Sequence, residues 1–138
     1  MYLTKQGGPI YARSRIYTTK AWGPVPQPDY LNMAIAIRTV LPPFYLLSVL
    51  LDLEKRFGRK RDVKYGPRTL DIDILFYGNE IIRRPGLHVP HPEIQNRRFA
   101  LVPACEIAGN LKHPVFGKTL AMLLAECSDT LEVKLWKA

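Results

Sequence analysis

The sequence has few cysteines and no long apolar run, and both shortages exclude classes of protein. Its two cysteines, Cys105 and Cys127, lie far apart, unlike the closely spaced pairs of zinc sites or the dense frameworks of secreted mini-domains. No apolar stretch reaches the roughly 20 residues that a membrane-spanning helix needs. Residues 1–8 also lack the apolar segment of a signal peptide. We therefore expect a cytoplasmic protein.

Acidic residues are also scarce relative to basic ones. The 138 residues include 20 Lys and Arg but only 12 Asp and Glu, which gives a formal net charge of +8. This excess favours a polyanionic partner, such as nucleic acid, a nucleotide polyphosphate or an anionic membrane. The length and the 47% hydrophobic content suit a single domain with its own core, which we expect over residues 1–138.

What the sequence does contain is a pair of aspartates in an apolar run, between Gly66 and Phe76. The run behind Gly66-Pro67 predicts a buried strand. Asp71 and Asp73 would then share one face while Leu70, Ile72 and Ile74 enter the core. One interpretation is a Mg²⁺ site with Arg68 as a neighbouring phosphate ligand. The other is that arginines of the same chain pair with the two carboxylates, and these residues alone leave both open.

Hydrophobic periodicity predicts an α+β order of elements. Two alternating stretches, Ile10–Thr18 and Tyr30–Val40, predict antiparallel strands on either side of a proline-rich loop at 19–29. A helix is expected from Pro42-Pro43 to Phe57, where Gly58 stops it. Its apolar stripe at 3.6 spacing consists of Leu46, Leu47, Leu50, Leu53, Glu54 and Phe57. The remaining expected elements are short strands at Ile72–Phe76, Ile81-Ile82 and Leu87–Val89, helices at Glu93–Ile107 and Leu120–Cys127, and a strand at Leu131–Trp136.

Three further segments carry polar groups that these elements do not explain. They are a basic loop with Arg59 and Arg61, the Val89–Phe99 segment with His91 and Arg97, and the Gln27–Asn32 segment with Tyr30 and Asn32. Taken singly, they also fit a solvated charge run, a capping histidine and a core tyrosine. Taken together with the aspartates, they suit phosphoryl transfer from a nucleotide to a flat small molecule.

These segments resemble the 6-hydroxymethyl-7,8-dihydropterin pyrophosphokinase family of folate biosynthesis. The matching strings include Gly66-Pro67-Arg68-Thr69-Leu70-Asp71-Ile72-Asp73, Gln27-Pro28-Asp29-Tyr30-Leu31-Asn32 and Val89-Pro90-His91-Pro92. Their order over residues 9–136 makes the resemblance cover nearly the whole chain. It implies a ferredoxin-like α+β fold. It also implies transfer of the β,γ-diphosphate of ATP to the pterin hydroxymethyl oxygen, with release of AMP.

The resemblance also implies a role for individual residues. Asp71 and Asp73 would hold two Mg²⁺ ions, and Arg59 and Arg61 would act with them in catalysis. The ATP contacts would be Glu54, Arg59, Arg61, Arg68, His91 and Arg97. The pterin contacts would be Thr19, Trp22, Tyr30, Asn32 and Phe99.

Two departures from the family pattern accompany the resemblance. The family begins with a strand, a Gly-Ser-Asn turn and a helix, and we expect residues 1–8 to be the end of that helix, so that one unit is missing. Self-association could then supply the missing strand. Leu51 also stands where the family tends to carry glutamine for the nucleotide. The alternatives of another class are a basic, ferredoxin-like RNA-binding module and an inactive paralogue.

Overall fold

A computed structural model of the chain describes residues 7–20, 29–57 and 70–137. Within these ranges the fold combines small antiparallel sheets with three α-helices, which is compatible with the expected α+β class. The elements are β1 (Ile10–Arg13), β2 (Tyr17–Thr19), β3 (Tyr30–Asn32), β4 (Ile35–Ile37), α1 (Pro43–Phe57), β5 (Ile82–Arg84), β6 (Leu87–Val89), a 3₁₀ turn (Ile94–Asn96), α2 (Arg98–Ala108), α3 (Leu120–Glu126) and β7 (Lys134–Leu135).

Each of the two long strands predicted near the N-terminus is in fact a pair of short strands. β1 pairs with β4, whereas β2 pairs with β3 and β7, and all these pairings are antiparallel. The break centres on Ser14, whose hydroxyl accepts the Ala34 N–H at 2.9 Å and donates to the Arg15 carbonyl. The Ser14 N–H also donates to the Ala34 carbonyl at 2.8 Å, so the hydroxyl replaces one bond of the ladder where the chain passes from one sheet to the other.

The large apolar side chains from β3 to β4 lie on the solvent-exposed side of this stretch. Leu31, Met33 and Ile35 are 51%, 45% and 39% exposed, while Asn32 and Ala34 between them are partly buried. The alternation expected for this stretch is therefore present. The apolar set, however, forms the more exposed face.

The helices were predicted more closely than the strands. α1 begins at Pro43 and ends at Phe57 as expected, and it buries Leu46, Leu50 and Glu54. Phe57 belongs to the predicted apolar stripe but is 66% exposed. α3 also matches its prediction to within one residue.

The helix predicted over Glu93–Ile107 is divided. The backbone of Arg97 is extended (φ −123°, ψ 96°) and separates the 3₁₀ turn from α2. α2 packs against α3, and the two helices form the larger core with the buried side chains Ile94, Leu101, Ala104, Leu120 and Leu123. The division matters for the site because it places Arg97 at the start of a helix.

The prediction of a β-strand over Ile72–Phe76 is wrong. Residues 70–76 are not part of any strand in the described chain. The segment is instead held by single contacts. The Leu75 carbonyl accepts the His91 N–H at 2.9 Å, and the Ile72 N–H donates to the side chain of Glu54.

In the described part of the chain, no helix is both long and apolar enough to cross a membrane. The ferredoxin-like arrangement expected from the resemblance stays a prediction.

Candidate functional site

Asp71 and Asp73 lie on the exposed side of the segment that connects α1 to the β5–β6 hairpin. Exposure alternates along it, since both aspartates are exposed while Ile72 and Ile74 are partly buried. The two isoleucines pack against the buried leucines of α1. The two isoleucines thus hold the segment against α1, and both carboxylates face the solvent on the opposite side.

A buried carboxylate on α1 fixes the backbone between the two aspartates. Glu54 is only 5% exposed, and its Oε2 accepts the Ile72 N–H at 2.6 Å. A charged acceptor makes a short, strong bond of this kind. Glu54, which the resemblance predicts to contact the nucleotide, therefore supports the aspartate segment in this structure.

His91 lies beside this segment, after the cis peptide between Val89 and Pro90. Its Nδ1 accepts the Glu93 N–H at 3.1 Å, so the proton of the neutral ring is on Nε2. Burial lowers the pKa of His91; the Asp73 carboxylate opposes that shift and the Arg97 guanidinium adds to it. Asp73 and Arg97 are thus each close enough to His91 to affect its pKa, which the sequence alone could not establish.

Arg97 and Phe99 are brought together at the N-terminal end of α2. The Arg97 guanidinium carbon lies 5.9 Å from the centroid of the Phe99 ring, within the range of a cation–π contact. Arg97 has no side-chain capping bond of its own. The cap comes from Asp129, whose Oδ2 accepts the Arg98 N–H at 3.0 Å and whose Oδ1 accepts the Leu131 N–H at 2.9 Å.

The residues predicted to contact a flat ring share the β2–β3 ladder. Thr19 lies opposite Tyr30, and Tyr17 lies opposite Asn32. Because opposed residues of an antiparallel pair point to one face, and residues i and i+2 do so as well, all four side chains lie on the same face. Tyr30 is 46% exposed whereas Thr19 is 4% exposed, which leaves Tyr30 the larger surface for a ligand.

The donor set at Asp71 and Asp73 fits a hard divalent cation. Within the described ranges, no cluster of three or more His, Cys, Asp or Glu residues could hold a metal ion by itself. Mg²⁺, however, is commonly bound by one or two carboxylates together with water and substrate phosphates. Asp73 also forms no salt bridge with any described lysine or arginine, so the internal ion-pair interpretation finds no support at this residue.

Four predicted site residues lie outside the described residues: Trp22, Arg59, Arg61 and Arg68. Conversely, sequence reasoning did not single out Glu106 and Asp129, which contact elements of the candidate site across long sequence separations. An acidic residue on a surface helix or in a loop carries no local signal of a distant partner.

Comparison with known proteins identifies the family of the chain. The sequence model of the family described as 7,8-dihydro-6-hydroxymethylpterin-pyrophosphokinase (HPPK) matches residues 2–109. Two curated relatives are each named 2-amino-4-hydroxy-6-hydroxymethyldihydropteridine pyrophosphokinase. The protein from Synechocystis is 46% identical over 114 residues, covering 83% of this chain and 58% of the relative. The protein from Haemophilus influenzae is 43% identical over 126 residues, covering 91% of this chain and 78% of the relative.

A third protein of the same name, from Aquifex aeolicus, is 44% identical over 107 residues, covering 78% of this chain and 67% of the relative. This chain thus spans about three fifths to four fifths of the length of these relatives. The matches do not favour the RNA-binding alternative. With more than half of its length inside the family's sequence model, the chain belongs to the 7,8-dihydro-6-hydroxymethylpterin-pyrophosphokinase family.

Proposed function

We propose that this chain transfers the β,γ-diphosphate of ATP to the hydroxymethyl oxygen of 6-hydroxymethyl-7,8-dihydropterin, giving AMP and the pterin diphosphate. The observation that carries the proposal is the face formed by Asp71 and Asp73, with His91 and Arg97 close by, in a chain of this family. A second element of support is the Tyr30–Asn32 strand and Phe99, which offer aromatic and amide groups to a flat ring. We expect the reaction to take place in the cytoplasm, within a single ferredoxin-like domain over residues 1–138.

The acidic face supplies the metal ligands in this proposal. Asp71 and Asp73 would hold two Mg²⁺ ions, and the two acids carry little desolvation penalty because both are exposed. When bound, the ions neutralise charge on the phosphates that move between the substrates. The Glu54 bond to the Ile72 N–H keeps the backbone between the two acids in place. The direct contact of Glu54 with the nucleotide stays a prediction.

The cationic side chains bind the triphosphate. Arg97 is suited to this role because a guanidinium can donate two parallel hydrogen bonds to phosphate. His91 donates through Nε2–H, since its Nδ1 is occupied by the Glu93 N–H. Arg59, Arg61 and Arg68 complete the set in this proposal, and all three lie outside the described residues.

The pterin ring lies between Tyr30 and Phe99, with Asn32, Thr19 and Trp22 at its edge. Aromatic faces bind a heterocycle by stacking, and an amide both donates and accepts hydrogen bonds along its edge. This arrangement holds the hydroxymethyl oxygen beside the phosphates. Positioning and charge neutralisation are the main contributions that a protein makes to phosphoryl transfer.

The proposal is tested by following AMP release from ATP with and without the dihydropterin, in a titration of Mg²⁺. We expect AMP release to require both the pterin and Mg²⁺. Asp71→Asn and Asp73→Asn should each lower the rate about 100-fold or more, because a catalytic metal contributes several kcal/mol and each 1.36 kcal/mol is a factor of ten. Glu132→Gln, an exposed carboxylate paired with Lys134, is the matched control and should leave the rate unchanged.

Unchanged AMP release in both aspartate variants would show that the metal assignment is wrong. Light scattering of the wild-type chain at several concentrations tests the expected self-association. A monomeric mass at every concentration would contradict it.

A further inference from the structure

A three-way contact connects the β1–β2 junction to α2. The Glu106 carboxylate accepts the Arg15 backbone N–H at 2.9 Å through Oε2 and the Arg15 Nε–H at 3.0 Å through Oε1. The Tyr17 hydroxyl also donates to Oε1. Tyr17 is 7% exposed, and its hydroxyl reaches the Glu106 carboxylate at the surface of α2. The Glu106 side chain is 24% exposed and the Arg15 side chain 64% exposed.

The two ends of this contact belong to the two walls proposed for the pterin. On the sheet, Tyr17 is the direct cross-strand partner of Asn32 and shares its face. On α2, Glu106 follows Phe99 by seven residues, which is close to two full turns, so both lie on the same side of the helix. A single bond between Tyr17 and Glu106 therefore joins the strand pair that carries Asn32 to the helix that carries Phe99.

We propose that the Tyr17–Glu106 hydrogen bond is a positioning contact for the pterin. It sets the separation between the Asn32 edge-binding group and the Phe99 ring. Neither side chain needs to touch the substrate for this role. The inference rests on the proposed function, because the pterin is the ligand that the two walls enclose.

The chemistry of the contact suits a permanent brace. The hydrogen bond from Tyr17 lowers the pKa of Glu106, and the same bond raises the pKa of Tyr17. The pair therefore remains a carboxylate and a neutral phenol around neutral pH. The Arg15 side chain is a separable part of the contact, since it is solvent-exposed and surface ion pairs contribute little.

The experiment compares Tyr17→Phe, Glu106→Gln and the double variant with wild type. Dissociation constants are measured separately for a non-hydrolysable ATP analogue with Mg²⁺ and, in its presence, for 6-hydroxymethylpterin by its fluorescence. Tyr17→Phe should weaken pterin binding about tenfold, which corresponds to about 1.4 kcal/mol, and change ATP-analogue binding less than twofold. The double variant should bind the pterin no more weakly than Tyr17→Phe alone, because Tyr17→Phe already removes the bond that Glu106→Gln weakens.

Two variants serve as controls. Arg15→Ala removes the exposed part of the contact and keeps the Tyr17–Glu106 bond, so it should bind the pterin as wild type does. Glu126→Gln makes the same acid-to-amide change in the exposed Lys118 ion pair on α3 and should also have no effect. Equal losses for the pterin and the ATP analogue, or no loss for either, would overturn the positioning role.

Hydrogen–deuterium exchange separates failure of this inference from failure of the proposed function. In Tyr17→Phe, the amides of residues 30–32 should exchange faster relative to wild type, whether or not a pterin binds. If the wild-type chain binds no pterin, the proposed function fails. If exchange in β3 is unchanged, the contact does not position this strand and the inference fails by itself.

Discussion

Replacing Asp129 by alanine removes the acceptor of two backbone N–H groups at once. One of these groups belongs to Arg98, the first residue of α2, and the other belongs to Leu131. Loss of a helix cap costs about 1 kcal/mol. Loss of a carboxylate near the positive end of a helix dipole adds about 0.3–1 kcal/mol. The Leu131 N–H also loses its charged partner, so we expect Asp129→Ala to lower the free energy of unfolding by about 2 kcal/mol.

Urea denaturation followed by circular dichroism measures this change directly. Asp129→Asn keeps a side-chain acceptor but not the charge, and it should lose about half as much. Glu126→Gln lies in an exposed ion pair with Lys118 and should change stability by less than about 0.5 kcal/mol. The reasoning is refuted if Asp129→Ala unfolds within 0.5 kcal/mol of wild type, or if the alanine and asparagine variants are equally destabilised.

Two other changes test the Glu54 bond and the burial of His113. Glu54→Ala leaves the Ile72 N–H without its acceptor and should lower the free energy of unfolding by about 1–3 kcal/mol and weaken Mg²⁺ binding. Glu54→Gln keeps an acceptor and should retain most of the stability and of the Mg²⁺ affinity. If urea denaturation and Mg²⁺ titration give the same losses for the alanine and glutamine variants, this role of Glu54 is contradicted. Burial lowers the pKa of His113, so the folded state favours the neutral ring. The contribution of His113 to stability is therefore complete above the ordinary histidine pKa of about 6.5, and it decreases as the pH falls through the folded pKa. His113→Asn should therefore flatten the decline in unfolding free energy from pH 7.5 to 5.5, while His88→Asn, an exposed histidine, should keep the wild-type slope; an unchanged slope in His113→Asn would refute it.

The sequence predicted best where local periodicity decides the outcome. The α1 stripe predicted a helix from Pro43 to Phe57 that buries Leu46 and Leu50, and the structure has it. Alternation around Asp71 and Asp73 correctly placed both acids on one side and Ile72 and Ile74 on the other. In both cases a single side-chain period determines which residues enter the core.

Prediction failed where the partner of a backbone group is distant in the chain. Residues 70–76 have the apolar content of a strand, yet the Ile72 N–H donates to the side chain of Glu54 rather than to a neighbouring strand. Similarly, no pattern indicates that the hydroxyl of Ser14 divides a nine-residue alternating stretch by binding the Ala34 N–H. Such competition between side chains and ladder bonds depends on tertiary contacts, and it is not encoded in local propensity.

The candidate site was predicted as a set of residue types rather than as a geometry. His91 could be named from its position in the motif, but its proximity to Asp73 follows from the Leu75–His91 backbone bond. Glu106 and Asp129 lay outside the motifs altogether. Their roles depend on the separation between α2 and its neighbours, which a single sequence does not specify.

The segment after α2 has a consequence for the design of chimeras between members of this family. The match to the family's sequence model ends at residue 109. Beyond it, β7 pairs with β2, and the Trp136 N–H donates to the Ile16 carbonyl at 2.9 Å. Asp129 caps α2 from the same segment. An exchange of homologous pieces at residue 109 would separate these donors and acceptors from their partners. A crossover after Trp136 would keep them within one parental sequence.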